Sequence, residues 1–182
     1  MTDTQVFIGG SRRLSRLNAD VKRRIDKIVD SGFNVVVGDA NGADRAIQRY
    51  LADRHYPKVT VFCMTGHCRN NVGHWTTRDV VAPADARGFA FYALKDRAMA
   101  DRATHGFMLW DGESKGTLNN IITLVQQQKP AVVYFSPTRT FVTVRTTNDV
   151  LSLLSKCDRS SIQRFERELN IAHSLSAPQS FR

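Results

Sequence analysis

The sequence predicts an α/β fold with a doubly wound, mainly parallel five-stranded sheet and a strand/helix extension at its C-terminal end. Three observations predict it. Short apolar, β-branched runs alternate with segments of helical periodicity between residues 5 and 135. Three strand-to-helix junctions are rich in glycine and small residues: Gly9-Gly10-Ser11-Arg12, Gly38-Asp39-Ala40-Asn41-Gly42-Ala43-Asp44 and Asp111-Gly112-Glu113-Ser114-Lys115-Gly116-Thr117. The chain, with 182 residues of which 42% are hydrophobic, also suits one layered domain with an ordinary core. The pattern is Rossmann-like, because right-handed crossovers bring such junctions together along one edge of the sheet.

Each element has its own local reason. Residues 5–9 form a short apolar run and read as a buried strand. Leu17, Val21, Ile25, Ile28 and Val29 recur at helical spacing, and Gly32 stops that helix. Residues 34–38 carry three consecutive valines, as a strand covered on both faces does. A helix then starts at Asn41 or Gly42, with Ala43, Ile47, Tyr50 and Leu51 on its inner side. Pro57-Lys58 leads into a third strand at 59–63. Residues 64–88 show little periodicity and read as a long connection of the kind that serves as a lid or insert. A helix at 91–103, a strand at 107–110, a helix at 117–128 and a strand at 131–135 follow. Beyond Ser136-Pro137, residues 141–144 predict an added strand antiparallel to its predecessor. Asn148 is the expected cap of a helix over 149–156, and Ser160 or Ser161 of another reaching Leu169, with residues 174–182 a loose tail. Residues 1–135 are thus expected to form a nucleotide-binding core, and residues 136–182 an extension packed on the same domain.

Composition narrows the function classes. No apolar run is long enough to span a membrane, so no membrane partner is expected. The opening residues lack the features of a signal peptide, which predicts a cytoplasmic protein. Three cysteines, Cys63, Cys68 and Cys157, suggest no disulfide framework. Cys63, His67, Cys68 and His74 do not match the spacing of a standard zinc site, so neither a metal nor a cofactor is expected. The net charge is +9, carried mostly by arginine, whose planar fork suits phosphate and carboxylate. These charges are spread over helices rather than gathered in one block, which ranks nucleic acid below a small anionic ligand.

The junctions carry the candidate chemistry. A strand entering a helix through a glycine turn presents free backbone N–H groups that attract phosphate. Gly9 and Gly10 permit close approach of a ligand, Ser11 can donate to a phosphate and Arg12 can neutralise one. The second junction offers Gly38, Asp39, Asn41 and the amides of Gly42 and Ala43, with Asp44 able to reach a ribose hydroxyl. The third offers Asp111, Gly112, Ser114, Gly116 and Thr117, followed by Asn120. The first junction is not a full GxGxxG fingerprint, which argues against a conventional dinucleotide site. Trp75, Phe89, Phe91 and Tyr92 can supply a base-stacking surface or belong to the core.

These junctions resemble the SLOG superfamily of Rossmann-like domains over roughly residues 5–135. The resemblance rests on the second junction through Arg45, on Arg97-Ala98-Met99, and most specifically on 111–117, which ends in Gly-Thr. It implies that Gly116 and Thr117 hold a phosphate and that Arg97 faces the sugar-phosphate. Lonely Guy phosphoribohydrolases, within this superfamily, carry a glutamate pair just after Gly-Thr-Leu, where this chain has Asn119-Asn120. Asparagine can bind a ribose but cannot act as a general base. The chain is thus more similar to the uncharacterised bacterial and phage branch, whose members are proposed to sense or process nucleotide-derived ligands.

The expected function is binding of a nucleotide or nucleotide-derived ligand at the carboxyl edge of the sheet. The alternatives are a nucleotide N-glycosidase, with Asp44, Asp111 and Arg97 the candidate catalytic residues, and nucleic-acid binding through the basic surface. The resemblance also implies a homo-oligomer, and the apolar face of Ile121, Ile122 and Val125 with the C-terminal helices is the expected subunit interface.

Overall fold

In the computed structural model, which describes residues 3–176, strand and helix alternate along the chain. β1 (Gln5–Gly10) leads into α1 (Ala19–Asp30), and β2 (Asn34–Gly38) into α2 (Ala43–Asp53). β3 (Val59–Met64) is followed by a further strand, β4 (Thr76–Val80), before α3 (Gly88–Arg102). β5 (His105–Trp110), α4 (Lys115–Gln126) and β6 (Ala131–Phe135) continue the alternation. β7 (Thr140–Val144), α5 (Thr147–Leu154), α6 (Arg159–Leu169) and α7 (Ile171–Ser176) complete it. The sheet has seven strands rather than five, in the order β4-β3-β2-β1-β5-β6-β7. All neighbours are parallel except β6 and β7, which run antiparallel.

β4 corrects the reading of 64–88 as one long loop. Its residues, Thr-Thr-Arg-Asp-Val, are exposed at all but the last position, where Val80 is half-buried. An edge strand hydrogen-bonded on one side only needs no apolar alternation, so periodicity leaves no trace of it. The C-terminal caps also shift. Thr146 and Asp149 form a capping box at α5 in place of Asn148, and Asp158 caps α6 through the Ser161 N–H at 2.9 Å. Residues 174–176 belong to α7, and the rest of the expected loose tail, 177–182, lies outside the described residues.

Two apolar layers flank the sheet. Val6, Ile8, Val35 and Val37 pack with α1 and α2 on one face. Phe7, Val36, Trp110 and Phe135 pack with α3 to α6 on the other. Burial of each successive valine of β2 is the consequence of helices on both sides. Ile121, Ile122 and Val125 lie in the second layer with Val150, Leu153, Phe165 and Ile171. The face expected at a subunit interface is therefore covered by the chain's own C-terminal helices.

Cys63 and Cys68 are joined in a disulfide with Cα atoms 4.9 Å apart, which corrects the expectation of none. The bond ties the end of β3 to the loop that carries Arg69. Among the described residues no helix is long and apolar enough to cross a membrane.

The site follows from the strand order. β1 pairs with β2 on one side and β5 on the other, so the connections from β1 and β5 depart in different directions. Such a switch point leaves a crevice beyond the carboxyl ends of the strands.

Candidate functional site

A cavity of about 550 Å³ occupies that crevice, and the residues after β1 and β5 form its walls. Ser11 and Asp111 join the two walls: the Ser11 hydroxyl donates to Asp111 Oδ2 at 2.6 Å. The other oxygen of Asp111 accepts the N–H groups of Glu113 (3.0 Å) and Ser114 (2.8 Å). Gly112 between them has φ +78°, a left-handed conformation suited to glycine. Burial acts to raise the Asp111 carboxyl, but these donors outweigh it and hold the group below the usual carboxylate range. Asp111 is thus an ionised brace for the turn. Gly112 faces Phe135 and Cys157 and does not line the cavity.

Ser114 caps α4. Its hydroxyl oxygen accepts the Thr117 N–H at 3.3 Å and the Thr117 hydroxyl at 3.0 Å, so Thr117 is already engaged within the turn. At Gly116 a Cβ would meet nothing within 4 Å, so the first turn of α4 is open to the cavity.

The second junction is closed where the sequence predicts an anion site. The Ala43 N–H donates to the Ser11 carbonyl at 3.2 Å, and Asn41 Oδ1 accepts from Asn70 at 3.0 Å. A side chain on Gly42 (φ +81°) would collide with the Arg12 backbone, and one on Gly10 with Leu109 and Ala43. These two glycines let backbone elements meet. Of this junction only Ala40 and Asp44 reach the cavity.

Asp39 is 1% exposed and sits behind the wall. Lys95 Nζ and Arg69 Nη2 each donate to its Oδ1 at 2.7 Å, and the Arg69 N–H and Nε donate to its Oδ2. Burial opposes ionisation of Asp39, yet these donors and the Lys95 charge hold its carboxyl far below the usual range. Gly38 makes room for this arrangement, since a Cβ there would clash with the Asp44 carboxylate.

Asp44 and Asp96 face the cavity in a different environment. Asp44 is 9% exposed and accepts the Ala40 N–H at 3.2 Å. Burial, assisted by the nearby Asp96 charge and opposed by Lys95, pushes it up to about 7. Asp96 accepts a hydrogen bond from Asn120, and burial against the opposing Lys95 charge brings it to about 6. Near neutral pH these two acids on one wall are poised between protonated and ionised forms.

Among the described residues six cationic side chains line the cavity: Arg12, Arg13, Arg69, Lys95, Lys115 and Arg164. Arg13 pairs with Glu113 across the walls, and Lys115 Nζ pairs with Glu168 at 2.7 Å. Tyr92 lies beneath two guanidinium groups, with Arg12 at 5.4 Å and Arg69 at 4.9 Å from its ring centre. Lys115 lies 4.6 Å from the Phe89 ring. Trp75 and Phe91 do not line the cavity, and the Trp75 indole N–H donates to the Tyr56 carbonyl instead.

Arg97 is the main misplacement. It points away from the cavity and pairs with Asp101 at 3.0 Å on the outer side of α3. Lys95 and Asp96 take the inward positions, in phase with Tyr92 and Met99 at spacings of three and four. Apolar residues spread around α3 hide that spacing in the sequence. Arg69 and Arg164 left no local signal, because each arrives from a distant segment. Asp39, Cys63 and Cys68 bring ligand-type atoms within 4.8 Å of one another. With both sulfurs in the disulfide and the carboxylate held by two cations, this donor set does not fit a metal ion.

No protein-family model matches the chain, and no curated protein does. Among solved structures it is similar to DNA processing protein A from Helicobacter pylori, described by its single-stranded DNA binding mode. The TM-score is 0.58 at 18% identity, and the match covers 93% of this chain and 81% of that one. This likeness shows a shared Rossmann-like α/β fold.

Proposed function

We propose that the cavity binds a nucleotide unit, with its phosphate near the open first turn of α4 and its base beside the arginine–Tyr92 stack. One observation carries this reading: among the described residues six cationic side chains line a cavity whose wall includes Tyr92, a residue 36% exposed. Arg12 and Arg164 form no ion pair among the described residues, so their charges are available to an anion. Arginine forks and an open helix start both favour phosphate, and an aromatic face accepts any base. The resemblance of 111–117 to SLOG domains supports the same assignment.

A second reading has its own support, and the structural comparison favours it over a free nucleotide. The similar solved protein binds single-stranded DNA, and this chain carries a net charge of +9. In that reading the cavity receives one nucleotide of a strand, and exposed arginines such as Arg13 and Arg16 follow its backbone.

Titration of the purified protein with the four ribonucleoside 5′-monophosphates and with a short oligodeoxythymidine tests both. Saturable mononucleotide binding supports the first reading. Oligonucleotide binding that falls steeply with salt, without mononucleotide binding, supports the second. Binding of neither overturns both.

A further inference from the structure

We infer that Arg164, carried by α6 in the C-terminal extension, is a phosphate-binding residue of the cavity and that the extension therefore completes the site. This rests on the nucleotide reading above and adds to it a contribution from outside the core.

Phe165 is fully buried, with its ring centre 6.1 Å from that of Trp110, and this anchors α6 beside β5. The adjacent Arg164 then lies on the cavity wall, stacked 5.2 Å over the Phe165 ring. Its Nη2 donates to the Glu113 backbone carbonyl at 2.6 Å. One turn further on, Glu168 holds Lys115 of α4 at 2.7 Å, so α6 and the start of α4 are tied together.

What Arg164 lacks is as specific as what it has. A guanidinium carries five N–H donors and a permanent charge. Here Nε is buried and has no hydrogen-bond partner, and no carboxylate pairs with the group among the described residues. A neutral carbonyl accepts one donor without balancing the charge. Nε lies out of the cavity's reach, but an anion in the cavity can take the outer N–H donors of the guanidinium and supply a counter-charge. Beside it the first turn of α4 is open at Gly116, and a phosphate there meets backbone amides and the guanidinium together. Arg12 approaches from the β1 side of the same cavity.

Calorimetric titration with inorganic phosphate and with adenosine 5′-monophosphate tests the assignment. The variants are Arg164→Gln, Arg164→Met and Arg167→Gln. Arg167 lies on the same helix, is exposed and does not line the cavity, so it controls for the loss of one positive charge. Arg164→Met keeps an unbranched stem over Phe165 and guards against a folding defect in Arg164→Gln. Both Arg164 variants are expected to bind the two probes about 10-fold or more weakly, and Arg167→Gln within about 2-fold of the parent. Parental affinity in a folded Arg164 variant overturns the inference and leaves Arg164 as a clamp on the Glu113 loop. Equal weakening in Arg167→Gln also overturns it, in favour of general electrostatics. Failure of the parent protein to bind either probe overturns the nucleotide reading itself.

Discussion

Ser11 and Asp111, 100 residues apart, are joined by a 2.6 Å hydrogen bond across the switch point between β1 and β5. This bond fixes the separation of the two cavity walls, and the same carboxylate organises the turn into α4. Asp111→Asn keeps one amide oxygen for the two backbone N–H groups but loses the charge and puts an NH2 donor where Oδ2 accepts the Ser11 hydroxyl. It is expected to destabilise the fold by about 1–3 kcal/mol in chemical denaturation near pH 7. Because the Asp111 carboxyl is held below its usual range, its stabilisation is present above pH 4 and fades as pH falls below that. The difference between variant and parent should therefore shrink on acidification.

Asp44 predicts the opposite slope. Its carboxyl titrates near 3.8 in the unfolded chain and about 7 in the fold, so the fold binds more protons between those values. Stability from this group is full below about pH 4 and is lost as pH rises through 7. Asp44→Asn, which cannot ionise, should gain on the order of 2–4 kcal/mol over the parent at pH 8 and little at pH 4. Thermal melts across this range check it. An identical pH profile for variant and parent would falsify the buried-acid account.

Asp39→Asn removes the counter-charge of Lys95, which is 2% exposed. Breaking one member of a buried ion pair costs about 3–5 kcal/mol, because the remaining charge stays buried without a partner. Denaturant midpoints should show a loss of this size. Arg69→Gln should cost less, because that side chain is 28% exposed and Lys95 remains to balance Asp39.

The glycines of the site should separate cleanly. A Cβ at Gly116 meets open space, so Gly116→Glu is expected to melt within a few degrees of the parent while abolishing binding of phosphate-bearing ligands. A Cβ at Gly10 meets Leu109 and Ala43, so Gly10→Ala should lose about 1–3 kcal/mol of stability. If the two variants behave alike, the distinction between an open helix start and a packed strand end is wrong.

Arg97→Gln tests the phase of α3. With Arg97 outside the cavity, ligand affinity should match that of the parent, whereas Lys95→Met should destabilise the fold by leaving Asp39 short of a partner. Reduced affinity in Arg97→Gln would restore the role that the family resemblance implied.

The sequence by itself determined the order and kind of most elements, because the signals are local. Consecutive valines in β2 and helical spacing in α1 need no knowledge of the rest of the chain. The turn at 111–117 was legible for the same reason, since its cap and its glycines act within a few residues. β4 was not legible, because an exposed edge strand carries no apolar pattern. Helix α3 hid its phase: Phe89, Phe91, Tyr92, Leu94 and Met99 spread apolar character around it, so only packing could turn Lys95 and Asp96 inward and Arg97 out. Tertiary structure also closed the second junction, when the Ser11 carbonyl took the Ala43 N–H that a ligand would need. It brought Arg69 and Arg164 to the cavity from segments far away in the chain. Local sequence can specify where a backbone turns and which residues seek burial. Which charges then face one another is decided by the docking of distant segments.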